Sequence, residues 1–132
     1  MSRSDYSYEN DPWEVIRWRG AVKSAIRGKR GQAFLRELIA SLEGLPTKKL
    51  IANDLERDGL VCALGSVGRA RGINMTGISP YDDKRLAEVF GIASAMIREI
   101  EFENDEGGPF PRMANEQRYE FILAWARSNL NA

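Results

Sequence analysis

The chain has 132 residues, 43% hydrophobic and 29% charged, and its 19 cationic and 19 anionic side chains cancel to zero formal charge. This composition suits an ordinary globular domain, and the length is enough to bury a core without disulfide or metal staples. With no histidine and one cysteine, Cys62, the chain lacks the means for a His-based relay, a conventional zinc site or an internal disulfide.

In chain order, residues 1–11 read as a flexible arm without hydrophobic period, leaving 12–132 as one helical domain. Asp11 followed by Pro12 is a helix-start signal, because Asp caps free amides and Pro is pre-set for the first helical position. Val15, Trp18, Val22 and Ile26 then recur every three or four residues, the apolar stripe of a helix. Arg19, Lys23 and Arg27 recur every four residues beside that stripe. With Lys29 and Arg30 they form a basic ridge. The segment Gly28-Lys29-Arg30-Gly31 breaks the helix, and a second follows with Phe34, Leu35, Leu38, Ile39 and Leu42 turned inward. Gly44 and Pro46 end it.

Residues 48–60 are less regular, but Arg57-Asp58-Gly59 is a turn signal and predicts a small hairpin near residues 49–61. A helix over roughly residues 62–71 follows, carrying Gly65, Gly68 and Gly72. Each glycine weakens a helix by about 1 kcal/mol relative to alanine, so three together predict a neighbouring backbone at close range. Ser79 as cap and Asp82 in a capping-box position predict the next helix start. Leu86, Val89 and Phe90 form its inner face, and Gly91 interrupts. Ile92, Met96, Ile97 and Ile100 continue the stripe on a helix reaching about Asn104. A loop over 107–111 precedes a last helix, about 115–130, that buries Tyr119, Ile122, Leu123, Ala126 and Leu130. The expected fold is mainly α, a single compact domain of five or six helices with that hairpin. Its expected core is Val15, Trp18, Val22, Ile26, Phe34, Leu38, Leu64, Leu86, Phe90, Ile97, Ile100, Ile122 and Ala126.

Charge is sorted along the chain although it sums to zero. Arg17, Arg19, Lys23, Arg27, Lys29, Arg30 and Arg36 face a single Glu14 between Trp13 and Arg36, whereas Glu99, Glu101, Glu103, Asp105 and Glu106 cluster without a cation. Such asymmetry can steer a charged partner. The pattern Leu86-Ala87-x-x-Phe90-Gly91-Ile92 has helix-turn-helix spacing, but the second helix turns acidic, which repels a polyanion; a packing corner is the expectation. The ridge Arg19, Lys23, Arg27, Lys29 and Arg30 is the better partner-binding surface, with Trp13, Trp18 and Tyr6 or Tyr8 nearby. The glycine run 65–72 lacks the Gly-Lys-Ser/Thr triplet of a phosphate loop. Cys62 has no histidine to activate it and apolar neighbours, the setting of an inert packing thiol. The acidic segment reads as a solvated face. No catalytic residue, metal site or cofactor is expected. A lone thiol, the absence of any run approaching roughly 18 apolar residues, and a polar start unlike a signal peptide predict cytoplasmic residence without membrane insertion.

Val61-Cys62-Ala63-Leu64-Gly65, with Phe102-Glu103-Asn104-Asp105-Glu106 downstream, resembles a group of small uncharacterised phage and prophage proteins. The stretches Trp18-Arg19-Gly20-Ala21-Val22 and Gly28-Lys29-Arg30-Gly31-Gln32-Ala33-Phe34-Leu35 are similar to members of that group, so the resemblance spans roughly residues 12–130. It implies a viral or prophage setting inside a host cell, where small non-enzymatic proteins often obstruct a host machine such as a CRISPR effector. The expected function is therefore a protein-binding modulator whose partner is a host or phage protein. The alternative is a nucleic-acid-binding accessory protein acting through the basic ridge, and an enzyme relying on carboxylates alone ranks third. Oligomeric state is left open.

Overall fold

The computed structural model describes residues 3–4, 12–108 and 113–131. Within them the chain forms α1 (Pro12–Arg27), α2 (Lys29–Glu43), β1 (Glu56–Arg57), β2 (Leu60–Val61), α3 (Ala63–Ala70), α4 (Asp83–Phe90), α5 (Ser94–Glu106) and α6 (Asn115–Ser128). The fold is mainly α, six helices and one antiparallel hairpin in a single compact domain, as the hydrophobic periods predict. The Asp11 cap and most of the 107–111 loop lie outside the described residues.

Two helices organise the packing. Helix α2 touches α1, α3 and α6, while α5 touches α1, α3, α4 and α6. Leu35, Leu38 and Leu42 of α2 meet Leu64 and Val67 of α3, Leu86 and Phe90 of α4, Ile97 and Ile100 of α5, and Ile122 and Ala126 of α6 in one buried cluster. Burial of each such side chain stabilises the fold by roughly 1.5–3 kcal/mol. Helix α1 departs from the expected core. Ile26 is buried, but Val15, Trp18 and Val22 are only half-buried. The physical reason is position: α1 lies across α2 and α5 on the outside, with no layer over it among the described residues.

The glycines divide by cause. Only Gly28 separates α1 from α2; Lys29, Arg30 and Gly31 already belong to α2, contrary to the four-residue break expected. A Cβ on Gly31 would overlap the carbonyl oxygen of Ala25, so bare backbone is what lets α1 and α2 meet at this corner. Gly65 is the same case in α3, where a Cβ would overlap the carbonyl oxygen of Leu55. Gly68 instead faces the flexible Met75 side chain, with the sulfur 2.6 Å from where its Cβ would sit, and Gly72 has open space but a φ of +72°. The predicted close backbone approach therefore holds for one glycine of the three.

The hairpin pairs Glu56 with Val61 and Arg57 with Leu60. Asp58 and Gly59 take φ values of 54° and 81°, the two left-handed positions that favour Asp-Gly in a two-residue turn. Helix α4 begins at Asp83, later than the Ser79 signal suggests. Ser79 Oγ is used locally, accepting from the Tyr81 amide at 3.1 Å, and Asp82 becomes the cap by accepting from the Arg85 amide at 3.1 Å. Gly91, left-handed at φ 71°, closes α4. The α4–α5 corner then packs Phe90, Ile92 and Met96 into the core.

Candidate functional site

The five ridge residues Arg19, Lys23, Arg27, Lys29 and Arg30 are all exposed on α1 and the first turn of α2, as are Arg17 and Arg36. Among the described residues none of these seven forms an ion pair. Elsewhere most of the described exposed cations are matched. Lys49 pairs with Glu116, Arg57 with Asp54, Arg69 with Glu56, Arg71 with Glu37, Arg85 with Glu88, Arg98 with Asp83 and Arg127 with Glu43. The bond from Arg71 holds the Glu37 carboxyl below its ordinary value.

Apolar surface accompanies the ridge. Trp13 is 68% exposed and Ile16 58% exposed on the same helix. Trp18, by contrast, is half-buried, with the Arg98 guanidinium 5.2 Å from its ring. Tyr6 and Tyr8 lie outside the described residues. A groove of about 210 Å³ runs between the α1–α2 corner (Ser24, Ala25, Gly28 to Gly31) and Ile92, Ala93 and Met96. Helix α2 opens onto this corner with no side-chain cap and no acid in its first turn, which leaves its amide end electropositive.

A second constellation lies where the acidic segment was expected to be solvated. Glu101 and Asn104 are fully buried, and the Asp105 side chain is 4% exposed. Glu101 and Asp105 are four residues apart, on the inward face that Ile97 begins, and Ile100 leads likewise to Asn104. That spacing was the available signal. Against it stands the rule that charged residues are rarely buried unless paired, and the cation that pairs with Asp105 is 102 positions away. Arg3, 2% exposed, donates from Nε and Nη2 to the two carboxylate oxygens of Asp105 at 2.6 and 2.8 Å. Its Nη1 lies 3.7 Å from Cys62 Sγ and 3.8 Å from Glu101 Oε2. Ser4, 1% exposed, donates its hydroxyl to Glu106 at 3.2 Å and accepts Arg98 Nε on its carbonyl at 2.8 Å. These are the two residues of the 1–11 segment that the structure describes.

Cys62 and Asn104 knit the floor of this cleft. Cys62 Sγ caps α3 by accepting from the Gly65 amide at 3.4 Å. Asn104 Oδ1 accepts from the Ala63 amide at 3.0 Å, so the Asn-Asp pair at the end of α5 also caps another helix, α3. Asn104 Nδ2 donates to Ile51 O and to Asp105 Oδ1. Arg118 of α6, also buried, donates to the carbonyls of Asn104, Leu50 and Met113.

Charge inside the cleft is set by these contacts. Burial works against the Arg3 cation, but Cys62, Asp105 and Glu101 outweigh it and raise its pKa above the ordinary arginine value. Burial pushes the Glu101 carboxyl up to about 9, the Arg3 cation offsets only part of that, and a hydrogen bond with Asp83 raises it further. Apart from that contact with Asp83, neither Glu101 oxygen accepts a bond from a described donor. The two-point contact at 2.6 and 2.8 Å makes Asp105 the close partner of Arg3. No grouping of three metal-ligating side chains occurs among the described residues, and no described helix is long and apolar enough to cross a membrane.

Among the described residues the structure thus holds two charged regions, an exposed basic face on α1 and α2 that forms no ion pair and a buried acidic cleft between α3 and α5 filled by Arg3. No family model, curated protein or solved structure matches the chain.

Proposed function

We propose that the chain is a non-enzymatic binding protein that docks the α1–α2 basic face onto an acidic surface of another protein. The observation that carries this is the set of seven exposed cations that form no ion pair among the described residues, on a molecule whose other described exposed cations are mostly paired. Solvated, unpaired charge keeps its full capacity to steer and orient a complementary surface. Trp13 and Ile16 on the same helix add apolar anchors of the kind that carry binding energy at protein interfaces. The resemblance to phage and prophage proteins favours a host or phage protein as that partner, with obstruction of a host machine as the outcome.

Reversing Arg19, Lys23 and Arg27 to glutamate together tests this. A partner captured from infected host cells, then purified, should bind the wild-type chain and lose at least tenfold in affinity for the triple variant. The circular dichroism of the two should coincide. Equal affinity would remove the basic face from the function.

The same unpaired cations also support a nucleic-acid accessory role. Phosphate contacts release counterions, so affinity for duplex or single strands would fall steeply and linearly in log salt. Contacts anchored by Trp13 and Ile16 would show a much shallower dependence, which distinguishes the two readings.

A further inference from the structure

The α3–α5 cleft makes distinct contacts to each part of the Arg3-Ser4 segment. The guanidinium meets Asp105 side-on through Nε and Nη2, at 2.6 and 2.8 Å, while its remaining nitrogen turns to Cys62 Sγ and Glu101. The following carbonyl is held by Arg98 at 2.8 Å and the following hydroxyl by Glu106 at 3.2 Å. Both residues are almost fully buried. A lysine could supply the charge but not the fork that fits both Asp105 oxygens. Glu101, buried at the back of the cleft beside Asp83, is the carboxyl that the third guanidinium nitrogen approaches, at 3.8 Å.

We propose that this cleft is a recognition site for an extended peptide carrying arginine followed by serine, and that Arg3-Ser4 is its resident occupant in cis. A partner's Arg-Ser segment takes the same place when the chain's own segment leaves. The recognition is independent of the basic face: the ligand here is cationic, and the surface that binds it is acidic.

The test uses the full chain with Arg3→Ala, the wild type, and the probe peptide acetyl-Ser-Arg-Ser-amide, read by calorimetry and by amide and Nε–H resonances. The Arg3→Ala chain should bind the peptide saturably. Replacing the peptide's arginine with lysine or citrulline should weaken binding at least tenfold. The wild type should bind the arginine peptide at least tenfold more weakly than the variant, because a tethered competitor acts at an effective concentration in the millimolar range. Adding Asp105→Asn to Arg3→Ala should abolish binding. Equal binding of the three peptides, or equal affinity of the wild type and Arg3→Ala, overturns the proposal. Should Arg3→Ala not fold, the wild type alone decides. Excess arginine peptide must then shift the Arg3 Nε–H resonance toward its solvent-exposed position, and a resonance that stays fixed overturns the proposal.

Discussion

Arg19 and Arg3 are the same side chain in opposite settings. Arg19 stands on the outside of α1, solvated and without an anion among the described residues, while Arg3 is 2% exposed and enclosed by Asp105, Glu101 and Cys62. A solvated charge contributes little to stability and can be changed at little cost. A buried one is tolerated only with close partners, and removing those partners leaves it uncompensated. The basic face is therefore where charge can be changed without unfolding, and the cleft is where fold and charge are tied together.

The strongest way to break that contrast is at Gly65, on the cleft side. Its amide supports Cys62 Sγ, and a Cβ there would overlap the Leu55 carbonyl. Backbone, unlike the Met75 side chain beside Gly68, cannot turn aside. Gly65→Ala should cost about 4 kcal/mol or more, in the range of severe overpacking, whereas Gly68→Ala should cost clearly less. Urea unfolding of the two variants checks the order. Similar midpoints would mean that the hairpin yields as easily as a methionine.

Asn104 comes next. Its amide serves the Ala63 N–H and the Ile51 carbonyl in a fully buried place. Asn104→Ala should cost about 3 kcal/mol by orphaning both groups. Hydrogen exchange at Ala63 and Gly65 should rise with it, since α3 loses its cap.

How much of this was legible in the sequence follows from range and charge. The inward stripes of α2, α5 and α6 were plain because each is a local period, and Asp58-Gly59 announced its turn by the same local logic. The basic ridge was legible for that reason too, and the structure shows it exposed. The cleft was not. Its anion lies on α5 and its cation at residue 3, so no window of the sequence contains both. Cys62 looked like packing, and it is buried, yet its sulfur also caps α3. Nothing local in Cys-Ala-Leu-Gly indicates that the Asn104 side chain completes the cap from another helix. The half-burial of Trp18 was hidden in the opposite way: a helical stripe shows which side faces inward, but not how many neighbours cover it.

Acid–base behaviour sharpens the contrast further. Glu101, in the cleft, is pushed by burial from an ordinary 4.5 to about 9, with Asp83 of α4, Asp105 of its own helix, and Arg3 facing it. Between those values the folded chain keeps a proton that the unfolded chain has lost, so this group makes stability fall as pH rises from about 4.5 to 9. Glu103, raised to about 8 by burial and by Glu99 one turn away, acts in the same direction. Glu101→Gln keeps the shape and removes the titration. It should be more stable than the wild type by about 2 kcal/mol at pH 9, with the gap closing toward pH 5. Denaturant midpoints at the two values are sufficient. A gap of the same size at both would assign the gain to packing and not to the proton.

The smallest expected effect lies on the basic face, at Gly20. This glycine sits inside α1, where a Cβ would meet nothing within 4 Å and the backbone has an ordinary helical φ. Neither packing nor conformation in the free chain calls for glycine there, and it weakens the helix by about 1 kcal/mol relative to alanine. Gly20→Ala should thus raise stability by about 0.5–1 kcal/mol, the reverse of Gly65→Ala. The informative measurement is the binding that accompanies it. If the partner's surface lies directly against α1, the added methyl stands between two backbones and affinity falls while stability rises. Affinity that is unchanged in the stabilised variant would move the contact to the flank of α1 that carries Arg19 and Lys23, with Gly20 outside the footprint.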